Sequence, residues 1–219
     1  MKQLIGIVVV MLLLQANVFA VNDAQKALIK AFRKGDVEQV NALVDQGIDL
    51  NYEMGLTPLV MAVRNENLSL VDKMLKAGAD VNFTESQPAN ALVSAAATGN
   101  LDILDRLLAE SPDINARAYA IPYRTALMQA AESGHLGVVQ RLVDLGADLT
   151  IGDYNDDQVM AFAAYFNQPD IITYLVKQGA DINHVSIQKR TPLDHALRNN
   201  SKEAVATLVA LDAQKGGDM

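Results

Sequence analysis

Between residues 24 and 211 the apolar positions fall into short helical bursts that come in pairs, and the pair recurs. An apolar anchor opens each pair at Leu28, Leu59, Leu92, Leu127, Met160 and Leu193, at spacings of 31, 33, 35, 33 and 33 residues. An Ala follows three residues later every time: Ala31, Ala62, Ala95, Ala130, Ala163 and Ala196. A polar break comes next, at Gly35-Asp36, Glu66-Asn67, Gly99-Asn100, Gly134-His135, Asn167-Gln168 and Asn200-Ser201. The second burst then sets apolar residues at i, i+3 and i+4, as in Val71/Met74/Leu75 and Val139/Leu142/Val143, which is one face of a helix. Each unit therefore predicts helix, short turn, helix, stop and extended turn. Six of them make an all-α solenoid of helix-turn-helix units at about 24–51, 52–82, 83–115, 116–150, 151–183 and 184–211. Residues 212–219 are expected to be a disordered tail.

The stop carries a phrase of its own. KAGADVN (76–82) returns as DQGIDLN (45–51), DLGADLT (144–150) and KQGADIN (177–183), with ESPDIN (110–115) as a variant. Its Gly stands where a left-handed residue ends a helix, and its Asp and Asn suit a tight turn. Thr57-Pro58 and Thr191-Pro192 supply a hydroxyl cap and a proline at the first helical position. With this period, TPL opening the first helix and GADxN closing the unit, the chain resembles the ankyrin-repeat family. TPLVMAVRNENLSLVDKMLKAGADVN (57–82) matches closely, and RTALMQAAESGHLGVVQRLVDLGADLT (124–150) adds the family's Gly-His pair. Departures are Val60, Val93, Met128, Ala161 and Asp194 in place of the family's His after TPL, and QVM in place of TPL in unit five.

The N-terminus belongs to a different pattern. Lys2 is the only charge in residues 1–20, LIGIVVVMLLL (4–14) is apolar, and NVFA (17–20) ends on the small residues a signal peptidase accepts. A signal peptide cleaved after Ala20 is expected, with periplasmic or secreted localisation. An uncleaved anchor is the alternative, although the run is shorter than the roughly 20 residues of a membrane span. The chain has no Cys, which excludes disulfides, thiolate metal sites and a Cys nucleophile. Its formal net charge is −8, and loss of Lys2 takes it to −9. Such a surface repels nucleic acid and anionic headgroups and favours a basic protein partner.

Candidate chemistry is sparse. His135, His184 and His195 stand in different units or phases with no second ligand at i+4, so no metal or catalytic role is expected of them. DYNDD (153–157) places Asp153, Asn155 and Asp157 like the start of a calcium loop, but Gln158 and Ala164 occupy the positions that need Gly and Glu. No phosphate loop, nucleophile elbow or zinc motif is present. No enzyme activity, cofactor or metal is therefore expected.

The resemblance implies a binding face made of the turn tips and first helices, reached by the residues before TPL and the two residues after the paired small residues. Tip four (116–124, ARAYAIPYR) is the longest and offers Arg117, Tyr119, Ile121, Tyr123 and Arg124. Tip five adds Tyr154 and Asp157 in the outward phase, the unit-five helix adds Tyr165 and Phe166, and unit six adds Ile187 and Arg190. Tyr, Phe and Arg in a line suit interface anchors. The bland alternative is that they cover their own tips, with Arg117 and Arg124 salt-linked to Asp153, Asp156 or Asp157. The expected function is a monomeric protein-binding module in the bacterial periplasm, neutralising a toxin or supporting stress defence. An envelope hydrolase with acidic tip residues and a structural spacer without a partner are the rival readings.

Overall fold

The computed structural model describes residues 22–52, 56–83, 90–118 and 123–216. They form twelve helices in six consecutive pairs: α1 (Asp23–Lys34) with α2 (Val37–Asp45), α3 (Pro58–Arg64) with α4 (Leu68–Lys76), α5 (Ala91–Thr98) with α6 (Leu101–Leu108), α7 (Ala126–Ser133) with α8 (Leu136–Asp144), α9 (Val159–Tyr165) with α10 (Pro169–Lys177), and α11 (Pro192–Arg198) with α12 (Lys202–Ala210). The expected all-α repeat solenoid is the fold observed. No helix among the described residues is long and apolar enough to cross a membrane. The expected signal segment, residues 1–20, lies outside the described residues.

Each element follows from its local sequence. Thr57, Asn90, Thr125 and Thr191 accept a bond from the backbone N–H three residues on, and so cap α3, α5, α7 and α11. Between the two helices of every unit one residue must take a left-handed backbone. Gly35, Gly99 and Gly134 do so easily, and Glu66, Asn167 and Asn200 do so as non-glycines. At Gly99 there is a second constraint, because an added Cβ would lie 2.6 Å from the His135 ring. His135 is thereby pressed against unit three, where its Nε2 lies 3.1 Å from the Ala97 carbonyl oxygen.

First helices pack on first helices and second helices on second helices, giving two rows. The anchors and the six phased Ala are buried: Ala31 is 3% exposed, and Ala62, Ala95, Ala130, Ala163 and Ala196 are at 0%. Ala at these points lets the first helices approach closely, while Leu, Met and Ile from the second helices fill the space between rows.

Polar rungs tie unit to unit along the stop turns. Asp49, Asp80, Asp113 and Asp181 each accept the amide of the Asn two residues on. Those Asn then accept an amide of the next unit: Asn51 from Asp80, Asn82 from Asp113, Asn115 from Asp148 and Asn183 from Gln214. The rung from unit four is missing, since Thr150 turns its hydroxyl back to Asp148. The outer row shows the same gap. Lys73 reaches Asp45, Arg106 reaches Asp72 and Arg141 reaches Asp105, but the α8–α10 junction has Tyr174 in that row, its hydroxyl without a hydrogen-bond partner among the described residues.

The C-terminal segment departs from expectation. Asp212–Gly216 is bonded in place rather than frayed: the Gln214 amide goes to Asn183 and the Gly216 amide to Asp194 Oδ2 at 2.9 Å. Asp194, standing where the family has His, also accepts the Thr191 amide and hydroxyl. Burial pushes its carboxyl up, but these bonds and the neighbouring His195 outweigh that and hold it below the ordinary aspartate range.

Candidate protein-binding groove

Each of the last three tips is closed by one backbone bond from its entry to its exit residue, over four residues in tips five and six and over six in tip four. Ala118 N donates to Arg124 O at 2.9 Å, Asp153 N to Asp157 O at 3.1 Å, and Ser186 N to Arg190 O at 3.0 Å. Tyr123, Asp156 and Lys189 supply the left-handed residue of each. Tip six is pinned to tip five by Ile187 N to Asn155 O at 2.8 Å and by Gln188 Nε2 to Asn155 Oδ1 at 2.7 Å.

Because the units repeat at 33 residues here, three rows of equivalent side chains line up beneath the tips. The hairpin exits are Arg124, Asp157 and Arg190. One turn into the first helices stand Gln129, Phe162 and His195. Near the helix ends stand Glu132, Tyr165 and Arg198. Seven of these nine, with Asp153, Asn155, Ala161, Phe166 and Gln188, line an open groove of about 440 Å³.

Each unit closes its share of the groove differently. In unit four, Arg124 pairs with Glu132 of the same unit and lays its guanidinium over the Phe162 ring of unit five, 4.9 Å from the centroid. Its side chain is only 16% exposed. Burial lowers the Arg124 pKa, against an opposing pull from Asp153. In unit five, Asp157 accepts from His195 Nε2 at 2.9 Å, and both side chains are nearly covered. Asp153 Oδ1 is occupied by the amides of Asn155 and Asp157. His184 is held by Asp156, with its Nε2 2.8 Å from the carbonyl oxygen. In unit six, Arg190 donates only to the amide oxygen of Gln188, and Arg198 is exposed with no hydrogen-bond or ion-pair partner among the described residues.

Of the residues expected at the face, the groove gathers Arg124, Asp157, Tyr165, Phe166 and Arg190. Tyr154 and Ile187 stand on its rim at 65% and 74% exposure, and Tyr123 packs edge-on to Tyr154 with centroids 4.6 Å apart. Arg117 is exposed at the start of tip four. Tyr119 and Ile121 lie outside the described residues. Three placements need correction. Asp157 was expected to face outward but is buried, because its short hairpin folds the exit residue over α11. Arg124 is neither exposed nor linked to the tip-five acids through an ion pair; Glu132, on the facing side of its own helix, is nearer. Phe166 is half-buried against the core, with Tyr165 edge-on at 5.0 Å.

Glu132, Phe162 and Arg198 are not singled out by the sequence, and His195 is considered there only as a metal or catalytic candidate, not as part of the groove. The register itself could have found Arg198, which falls 33 residues after Tyr165. His195 and Asp157 have the geometry of an oriented base, but no Ser, Thr or Cys lines the groove with them. Among the described residues no group of three or more His, Cys, Asp or Glu is placed to hold a metal ion.

A sequence model of the family described as ankyrin repeats (3 copies) matches residues 6–85, 59–153, 92–186 and 151–216. The chain belongs to the ankyrin-repeat family. Repeats of this family form protein–protein interaction modules. Among curated relatives, the chain is similar to an ankyrin repeat and KH domain-containing protein of Caenorhabditis briggsae, 33% identical over 68% of this chain and 6% of that protein. It is similar to inversin of Canis lupus familiaris, 28% identical over 73% of this chain and 15% of the relative. An L-asparaginase of Dirofilaria immitis is 26% identical over 81% of this chain and 30% of the enzyme. The chain thus spans less than a third of the length of these relatives.

Proposed function

We propose that this ankyrin-repeat protein is an exported, non-enzymatic binding protein of the bacterial periplasm. It holds one protein partner against the tips and first helices of units four to six, in toxin neutralisation or stress defence. One observation carries the reading: Arg, Tyr and Phe side chains of three units converge on a single groove over a rigid row of buried Ala. Aromatic and guanidinium groups on a pre-ordered floor lose little entropy on binding, which suits an interface anchor. The charge of −8 favours a partner that is basic as a whole, since long-range steering follows the total field. Export rests on the charge-poor, apolar residues 1–20 and the small residue Ala20. The rival hydrolase would rest on Asp153, Asp156 and Asp157 of tip five; Asp153 Oδ1 accepts two backbone amides, and Asp156 and Asp157 each lie beside a histidine Nε2.

The test is site-specific photo-crosslinking in the native cell. A photoreactive residue at Ile187, on the groove rim, is expected to trap one protein species, while the same residue at Val209 on α12 traps none. The trapped chain should begin at Val21 and come from the periplasmic fraction. Equal crosslinking from both positions, or a chain retaining residues 1–20 in the cytoplasm, would overturn the corresponding half of the proposal.

A further inference from the structure

Units four and six place the same residue at the hairpin exit and opposite residues eight positions later. Arg124 faces Glu132, whereas Arg190 is followed by Arg198. In unit four the guanidinium is therefore neutralised from within, as the ion pair shows. In unit six the position that holds the carboxylate in unit four carries a second guanidinium. Among the described residues no carboxylate forms an ion pair with Arg190 or Arg198, although the groove's acids keep their charge. Asp157 is taken by His195, Asp153 by two backbone amides, and Asp194 by Thr191 and Gly216. Arg190 spends one donor on a neutral amide, and Arg198 spends none. A guanidinium has five N–H donors in a planar fork that matches a carboxylate.

Apolar surface lies beside these donors. Tyr165 is 38% exposed, between Phe166 and the His195 ring, and Ile187 is 74% exposed on the rim. The tips above are bonded to one another, so this end of the groove is pre-ordered.

We infer that unit six receives a carboxylate from the partner, on an extended acidic segment. Resting on the groove-binding reading above, this names what the groove recognises: a Glu or Asp side chain set between Arg190 and Arg198, with a neighbouring apolar side chain on Tyr165 and Ile187. The partner's carboxylate occupies in unit six the role that Glu132 plays in unit four. A partner that is basic as a whole carries the segment locally, because the total field steers the encounter while the guanidiniums read the contact.

The full chain is used to select from a random decapeptide phage library, and the enriched sequence is synthesised as the probe. Enrichment of Asp or Glu beside an aliphatic or aromatic residue is expected. The synthetic peptide should lose about ten-fold or more in affinity when its acid becomes the matching amide, and the same again on Arg198→Glu. Arg198→Glu recreates the unit-four ion pair in unit six, so its melting temperature should equal or exceed that of the parent chain, separating lost binding from lost folding. Arg190→Gln, which keeps polarity and removes charge, should weaken the peptide without restoring stability. Enriched peptides that are neutral or basic, or that bind Arg198→Glu undiminished, overturn the inference. If such peptides still fail on Tyr165→Ala, the groove binds and only the carboxylate assignment falls. If they are insensitive to Tyr165→Ala as well, or nothing enriches, the groove-binding reading falls with it.

Discussion

At the scale of single residues, the fold asks the same thing of each unit and does not always get the best answer. The turn between paired helices requires a left-handed backbone six times, and Glu66 meets that requirement at φ 52° with no side-chain partner among the described residues to compensate. A Cβ-bearing residue there crowds the following carbonyl, and Asn, as at 167 and 200, tolerates it better. Glu66→Gly is expected to stabilise the chain by about 1 kcal/mol, read as a shift of the urea midpoint with an unchanged slope. The requirement was legible in the sequence because a break recurs at one phase. The burial of Asp157 was not. Whether a hairpin exit points out or over its neighbour depends on hairpin length and on which side chain waits in the next unit, here His195, 38 residues away.

At the scale of elements, the junctions between units differ although the helices do not. Asn rungs and outer ion pairs join units one through four, and an Asn rung ties the last turn, but Thr150 and Tyr174 interrupt both ladders between units four and five. Contacts on the groove side hold that junction instead: Arg124 on Phe162 and Tyr123 against Tyr154. Part of the expected binding face is thus also the fastening between units. Thr150→Asn supplies the absent acceptor and is expected to add about 0.5–1.5 kcal/mol, measured by thermal or chemical unfolding. No gain would mean that the stop turns at this junction are too far apart for a rung.

At the scale of the whole molecule, stability and recognition come from the same repetition. Each pair of helices leaves an apolar flank that only a neighbour covers, so the units fold as a row and the row presents equivalent side chains in lines. The row was legible from period and Ala phase alone, because both are properties of the sequence. That side chains of the tips and first helices of units four to six gather at one groove was legible in part, since tip length and aromatic content mark them. Which side chains stay open was not legible, because the Arg124–Glu132 pair, eight residues apart, and the Asp157–His195 bond, which crosses from unit five to unit six, decide it through side-chain geometry. The central claim is that this face, not the outer row, is where a partner sits. Amide hydrogen exchange of the chain, alone and in complex with the partner trapped from Ile187, measures that directly. Slowed exchange in residues 153–157 and 186–190 and at the starts of α9 and α11, with α4, α6 and α8 unchanged, is the predicted result. Protection confined to the second helices would contradict the account.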